Sequence, residues 1–396
     1  MLNQVQHDVF FYLKGKIMAL TFSWTDVPEE YDNLPAPKLG TPGQTFNPQK
    51  FGNTLFIGDN YPVLKALVAQ GLKVNIIYID PPYNTGKSFV YKDNLSEDAW
   101  LSFMQRRLLL AGELLYDDGC IFIAIDQSQL YELKILCDQI FGPENFVNDF
   151  MWLHGKGKKD KWSRTLQQHT LCYAKNKKNL PAFCEVEYSS WATKNIDNDP
   201  RGNWFSGSIS FDEKRSNPNH RNFFTITSPS GKVWTRQWQV SQEEMTQLIA
   251  ENKIYWGPAP DYDRVPRKKV FNETPTEVIP RNIIDDVETT RAAQAHLDKM
   301  LGKIGKKSAF DNPKPVGLIC HLIKITQAPK DAVILDFFAG SGTTFESVCQ
   351  LNAEDGGNRR CLLVQKDENG IADLCRLRCQ KVAEKYGIFG GRIDVF

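Results

Sequence analysis

The sequence predicts an α/β protein: an open, twisted sheet with helices on both faces, interrupted by an inserted, mainly β domain. Three observations predict it. Apolar strand-like runs alternate with helical stripes from Thr54 to about Tyr173, and again from Ala332 to residue 386. Between Leu180 and Lys307 that alternation gives way to a segment rich in Trp, Asn, Ser and Pro. Finally, two apolar runs end abruptly in polar turns, at Asp80 and at Asp336. In open α/β sheets the carboxyl ends of strands are where ligands bind.

Taken in order, residues 1–50 read as an N-terminal extension. Prolines at 35, 37, 42 and 48 with two glycines suggest a surface wrap rather than a core element. Residues 51–180 form the first half of the α/β domain. Thr54 to Ile57 is a short strand ending in Gly58-Asp59-Asn60, and Leu64, Leu67 and Val68 give a helical stripe closed by Gly71. Val74 to Ile79 is β-branched and aromatic without a charge, the pattern of a buried strand. A polar loop from Asn84 to Asp98 covers its end. Ser96-Glu97-Asp98 then caps a helix with Leu101, Met104, Leu108, Ala111 and Leu115 on one side, which Gly119 is expected to stop. Strands at Cys120–Ile125, near Phe146–Trp152 and at Thr170–Tyr173 follow. Residues 181–308 are the insert, with a hairpin turn at Ser228–Gly231 and a capping-box helix opened by Ser241. Residues 309–396 resume the alternation: a strand at Ala332–Asp336, a helix after Gly342, a strand at Cys361–Val364 and an amphipathic helix over 371–386.

The chain has 396 residues, 41% hydrophobic and 24% charged, the balance of a soluble protein with room for two or three domains. No apolar run approaches the roughly 18 residues of a membrane span, and no signal-peptide pattern opens the chain. Nine cysteines lie scattered without a disulfide framework or paired metal-ligand spacing, so neither a zinc site nor another metal is expected and a reducing cytoplasm is. A net charge of +1 means that any nucleic-acid face is local. The run Gly155 to Arg164, GKGKKDKWSR, crowds Lys156, Lys158, Lys159, Lys161 and Arg164 against one acid. By itself it reads as a solvated loop; beside an amino-group motif it reads as a phosphate contact.

The first such motif is Asp80-Pro81-Pro82-Tyr83. Proline donates nothing to a sheet ladder, so the strand stops there, and each residue before a proline is held extended. The turn displays a carboxylate, backbone carbonyls and an aromatic ring. That set suits an exocyclic amino group on a flat ring: Asp80 accepts one N–H, the Pro81 carbonyl the other, and Tyr83 stacks. The second is Asp336-Phe337-Phe338-Ala339-Gly340-Ser341-Gly342-Thr343, between a strand and a helix. Its glycines allow close backbone approach, and the helix start offers N–H groups to a negative ligand. Phe345 stands where a dinucleotide fingerprint has its third glycine, and no Lys follows as in a phosphate-binding loop.

Together these residues resemble the S-adenosylmethionine-dependent DNA amino-methyltransferases. Asp80 to Tyr83 matches their DPPY, and Phe338 to Gly342 their FxGxG. The order, with DPPY first and Asp336 lying 256 positions later (336 − 80), is that of the β-class. Asp80 to Asn94 and Gln167 to Asn176 look most like the modification subunits of type III restriction systems, and Phe310 to Pro315 like the segment before the cofactor loop. The resemblance implies a Rossmann-like methyltransferase sheet with permuted motif order, S-adenosylmethionine as cofactor, and transfer to N6 of a flipped-out adenine in DNA. It places Asp336, Phe338, Ala339, Gly340, Ser341, Gly342 and Thr343 around the cofactor, with Asn312, Lys314 and Pro315 facing its methionine end from the other side. Asp59 faces the cofactor or the flipped base, or simply caps the following helix. The family's ribose-binding acid is here Gln365, with Asp367 and Glu368 just beyond. Partners implied are double-stranded DNA, a restriction or other DNA-acting subunit, and a second copy of the chain; a membrane is not among them.

Two rivals and one excluded reaction stand beside adenine N6 methylation. Cytosine N4 methylation needs the same geometry, but that substrate goes with Ser in the place of Asp80. Cytosine ring-carbon methylation needs a cysteine nucleophile, and the sequence has no Pro-Cys pair. A recognition subunit of a larger nuclease complex is the reading from another class. Within the insert, Arg215, Asn219, His220, Arg221, Asn222, Arg236 and Gln237 are types able to read base edges, Arg236 foremost, so the insert is expected to recognise the target.

Overall fold

The computed structural model describes residues 4–13, 16–41, 44–48, 50–84, 95–155, 161–188, 194–271, 275–304, 307–308, 310–387 and 393–396. Most of the expected loop over 84–98, and Lys156, Lys158 and Lys159 of the basic run, lie outside the described residues. Two compact units emerge: Met1–Cys184 with Pro280–Phe396, and Glu185–Ile279. The second is narrower than the insert expected from the sequence, because residues 280–308 contribute a strand and a helix to the first.

The first unit is built on a nine-stranded sheet. Its strands are β1 (Asn53–Ile57), β2 (Val74–Ile79), β3 (Leu115–Ile125), β4 (Phe146–Leu153), β5 (Gln167–Ala174), β6 (Ile283–Ile284), β7 (Val333–Asp336), β8 (Arg360–Gln365) and β9 (Ile393–Val395). Their order is β6-β4-β5-β3-β2-β7-β8-β1-β9, and β5 alone runs against the rest. Around it lie α1 (Asn60–Ala69), α2 (Glu97–Leu114) and α3 (Leu130–Phe141), then α5 (Thr290–Leu301), α6 (Val316–Ile325), α7 (Thr343–Asp355) and α8 (Ile371–Tyr386), with α4 (Gln242–Ala250) in the other unit.

Strand periodicity decides which face each helix covers. Ile77 and Ile79 of β2 pack with α1, α2 and α3 through Leu64, Leu108 and Leu133. Ile76 and Tyr78 of the same strand pack with α6, α7 and α8 through Ile319, Val348 and Val382. Both faces are thereby buried, which is why these strands are continuously apolar.

Two expectations are corrected. Helix α2 ends at Leu114, and Gly119 lies inside β3 rather than after the helix. The β2–β3 register slips between Val74 and Ile76, and a Cβ at Gly119 would sit 2.7 Å from the Asn75 carbonyl oxygen, so glycine serves close strand approach there. The N-terminal extension is also more than a wrap. Gln4–Leu13 pairs with Lys16–Thr25, and Trp24, Leu39 and Phe46 enter the core beside α1–α3. Asp26 and Asp32 hold Arg106 of α2 at 2.8 and 2.6 Å.

The second unit is small and mainly β. Trp204–Gly207, Arg267–Phe271 and Ile254–Tyr255 form one antiparallel sheet, and Phe223–Thr227 pairs with Val233–Gln237 across the expected Ser228–Gly231 turn. Ser241 caps α4 by accepting from the Glu244 N–H. Trp238, Met245, Leu248, Ile254 and Trp256 form a separate core. Among the described residues of the chain no helix is long and apolar enough to cross a membrane.

Candidate active site

Strands β2 and β7 are parallel neighbours, with Ile76 opposite Ile334 and Ile77 opposite Leu335. Asp80 and Asp336 therefore emerge at the same carboxyl edge, despite their distance in sequence. The edge opens into a cavity of about 600 Å³. Asp59 beyond β1, Asp80 beyond β2, Asp126 beyond β3, His154 beyond β4, Asp336 and Gln365 at the ends of β7 and β8, and Gln167 at the start of the antiparallel β5 all line it.

On the β2 side the Tyr83 hydroxyl donates to Asp80 and accepts from Gln168 Nε2 at 2.8 Å. Lys314 Nζ donates to the other Asp80 oxygen at 2.5 Å and to the Tyr83 hydroxyl at 2.9 Å. Pro82 lines the cavity, but its carbonyl accepts from Trp100 Nε1 at 2.8 Å. Pro81 is buried and is not among the lining residues; no described residue donates to its carbonyl.

On the β7 side the loop is held by its own neighbours. Asp336 accepts from the Phe338 N–H at 3.0 Å and from the Thr344 hydroxyl at 2.5 Å. Burial pushes its carboxyl up to about 7, against the pull of those two hydrogen bonds. Ala339 N–H donates to Val364, Gly340 N–H to the Gln365 side chain at 2.7 Å, and Gly342 N–H back to Ala339. Gly340 (φ 53°) and Gly342 (φ 84°) occupy the left-handed region. Ser341 and Thr343 hydroxyls both accept from Arg378 of α8 at 2.8 Å. That guanidinium is paired with Glu346 of α7, and both side chains are 1% exposed. His296 of α5 reaches the same carboxylate at 2.9 Å.

Asp59 does cap α1, accepting from the Tyr61 N–H at 3.0 Å, and it lines the cavity too. It also meets Arg107 at 3.1 Å. Arg107 is fully buried, donates to Glu29 at 2.7 and 3.0 Å and to Asn60 Oδ1 at 2.5 Å, and lies 3.6 Å over the Phe103 ring. Asn60 in turn donates to the Phe337 carbonyl at 2.7 Å, tying α1 to the glycine loop. Glu29, Asn60, Arg107 and Gln168 line the cavity and Arg378 braces its glycine loop from behind, none of which the motifs disclosed. A charge on an apolar helical stripe was the available signal: Arg107 falls between Met104 and Leu108, and Arg378 between Cys375 and Val382.

Asn312, at φ 55°, and Lys314 line the cavity, whereas Pro315 is buried at the start of α6 and does not. Of the three ribose candidates, Gln365 spends its oxygen on Gly340 and its amide on the Lys366 carbonyl; Glu368 lines the cavity and Asp367 does not. The basic loop leaves from His154 and returns at Gln167, both on the cavity's rim; its described members Lys161 and Arg164 are exposed. Arg236 lies in the second unit, where its guanidinium is held by Glu213 at 3.0 Å.

A carboxylate and an aromatic ring, facing a glycine loop across the carboxyl edge of the sheet, define the class: an α/β protein whose ligand cavity opens between the ends of β2 and β7. The chain matches the family model described as DNA methylase over residues 74–370, and it belongs to that family. It is 32% identical to the type III restriction-modification enzyme StyLTI Mod subunit of Salmonella typhimurium, over 86% of this chain and 58% of that one. With the EcoPI Mod subunit of Escherichia phage P1 it shares 34% identity over 89% and 66%. The type II methyltransferase M.KpnI of Klebsiella pneumoniae is 29% identical over 80% and 81%. The chain thus spans less than two thirds of the length of these two Mod subunits.

Proposed function

We propose that the protein is an S-adenosylmethionine-dependent DNA methyltransferase acting on the exocyclic N6 of adenine, as the modification component of a restriction-modification system. The observation that carries this is the meeting of Asp80 and Tyr83 with the Phe338–Thr343 loop in one cavity of about 600 Å³. That volume lies in the range of cofactor and substrate pockets, about 300–1,000 Å³. The residues fit the cofactor. A Cβ at Gly340 would come 3.3 Å from Phe310, in a backbone conformation that side chains resist, so the loop is built without one. Phe338, Ala339, Gly340, Ser341, Thr343 and Asn312 would hold the methionine end, and Glu368 is the carboxylate available for ribose hydroxyls. Gly342 faces Cys375 and Cys379 of α8 rather than the cavity.

When bound, S-adenosylmethionine supplies an electrophilic methyl group. The chain's part is to seat the amino nitrogen beside it. Inside a duplex that nitrogen is out of reach, so the base is turned out of the stack at a cost of a few kcal/mol. Tyr83 replaces the lost stacking, and Asp80, the acceptor that faces the cavity, takes an N–H of the amino group. Accepting that N–H draws the nitrogen toward tetrahedral geometry and frees its lone pair. Aspartate rather than serine at position 80 supports adenine over cytosine.

The likeness to Mod subunits supports double-stranded DNA as substrate and a DNA-cleaving subunit as partner, with a second copy of the chain completing the assembly. Target recognition falls to the insert, whose compact part is Glu185–Ile279, and sequence-independent affinity to the basic loop. Replacing Lys161 and Arg164 by Gln should weaken all duplexes alike and flatten the salt dependence by nearly two units of slope. Arg236→Ala should narrow the gap between cognate and scrambled duplexes by about 1–3 kcal/mol if the side chain leaves Glu213 for a base. The decisive experiment incubates the protein with methyl-labelled S-adenosylmethionine and unmodified genomic DNA, then separates the nucleosides. Label in N6-methyl-2′-deoxyadenosine is the expected result; label in N4-methyl-2′-deoxycytidine, or none, overturns the reading.

A further inference from the structure

Lys314 stands in the sequence with the cofactor-side turn, yet its ammonium is spent on the other half of the site. It donates to Asp80 Oδ2 at 2.5 Å and to the Tyr83 hydroxyl at 2.9 Å, and lies 5.3 Å from the centre of the Tyr83 ring. The Tyr83 hydroxyl donates to the remaining Asp80 oxygen and accepts from Gln168 of β5. Each member of this ring of contacts fixes another. The Lys314 side chain is 10% exposed and that of Asp80 28%, so the pair is partly withdrawn from water while the carboxylate stays open to the cavity.

We infer that Lys314 is a positioning residue for transfer: it clamps Asp80 and Tyr83 for the incoming amino group and is not a ligand of the cofactor. This rests on the methyltransferase reading above. A carboxylate has about four lone-pair positions. Lys314 and Tyr83 use one on each oxygen, which stops the group from turning and leaves capacity for the amino N–H. A free carboxylate would swing toward water, and a misplacement of about 1 Å in a reacting group costs about a hundredfold in rate. The clamp's anchor is itself fixed. Asn312 N–H donates to Gln294 of α5 at 3.0 Å, and Pro315 starts α6, so the lysine's stem leaves a turn pinned at both ends.

The test compares wild type, Lys314→Ala and Lys314→Arg in the full chain. Cofactor affinity is measured by titration calorimetry, and single-turnover methylation at saturating cofactor and DNA. Lys314→Ala should bind S-adenosylmethionine within threefold of wild type and lose about a hundredfold in rate. Added propylammonium should restore at least tenfold of that loss, and Lys314→Arg should retain a similar part. A cofactor affinity lowered more than thirtyfold, with the saturated rate within threefold of wild type, would make Lys314 a cofactor ligand and overturn the inference. Loss of rate rescued neither by the amine nor by arginine would reduce it to a structural role, with the same consequence. A wild-type protein that methylates no DNA overturns the functional reading first, whereas the other two outcomes in an active enzyme overturn only the clamp.

Discussion

Replacing Arg378 by methionine removes the charge that holds the glycine loop to the helices beneath it, while keeping most of the side chain's bulk. The guanidinium donates to Glu346 at 2.9 and 3.2 Å and to the Ser341 and Thr343 hydroxyls at 2.8 Å each. Removing one partner of a buried ion pair costs about 3–5 kcal/mol. Glu346 keeps His296 at 2.9 Å and Lys385 at 3.3 Å, which places the expected loss at the lower end. A second route gives a similar size. Burial would raise the Glu346 carboxyl, but the His296 hydrogen bond and the Arg378 charge bring it down to about 2 from an ordinary 4.5. That difference corresponds to about 3 kcal/mol in favour of the ionised, folded form, of which Arg378 supplies a share. Because the folded value lies below the unfolded one, this stability is present above pH 4.5 and drains away as pH falls toward 2. Urea unfolding of the full chain across pH 3–8 measures it. The variant should lose about 2–3 kcal/mol at pH 7, lose less than wild type on acidification, and bind S-adenosylmethionine more weakly. A loss below about 1 kcal/mol at pH 7, with an acid slope like that of wild type, would refute the reasoning.

Other expectations are as direct. Asp80→Ala should leave cofactor and duplex affinity largely intact while abolishing transfer; a variant keeping more than about a tenth of the rate, ~1.4 kcal/mol of barrier, removes Asp80 from the centre of the chemistry. Gly340→Val should fail at cofactor binding, since a branched side chain at φ 53° meets Phe310; unchanged affinity in a folded variant, read by calorimetry, would put the cofactor elsewhere. Asp336→Asn should change a pH slope. The folded carboxyl, at about 7, lies above the ordinary 3.8, so its stabilisation is complete below pH 3.8 and disappears as pH rises through 7. The variant should lack that decline, worth at most about 4 kcal/mol, in unfolding curves taken from pH 4 to 8.

The alternation of strands and helices was legible because burial on both sheet faces leaves unbroken apolar runs such as Val74–Ile79, and because Ser96 and Ser241 mark helix starts chemically. The two motifs were legible because they sit where such runs stop. Sheet order was not. Nothing near Gln167 announces that β5 slips in reverse between β3 and β4, for that pairing is decided by residues far away in sequence. Leu39 and Phe46 were hidden for a related reason, since isolated apolar residues among prolines carry no period. Trp24 closes an alternating run, Leu20-Thr21-Phe22-Ser23-Trp24, that the proline-rich stretch after it obscured. Arg107 lies on a stripe that was read correctly, whereas Arg378 lies on a buried face of α8 with Cys375, Cys379 and Val382 that the leucines do not mark, since Leu377 is exposed. In neither case can spacing name the carboxylate waiting opposite. Lys314 is the plainest case, since a residue's neighbours along the chain assigned it to one ligand while its reach assigns it to Asp80.

The strand order also sets a timetable for assembly. Strands β1 and β2 are joined by a single helix, yet β7 and β8 lie between them. A ribosome delivers those two central strands only after some 250 intervening residues, so the early half of the sheet must wait with an open slot flanked by unpaired edges. Until the slot fills, Asp80 has no glycine loop beside it and the cofactor has no pocket. Cofactor capture during synthesis therefore reports completion of the sheet's centre, and a nascent chain stalled before Val333 is exposed at both edges to pairing with the wrong partner.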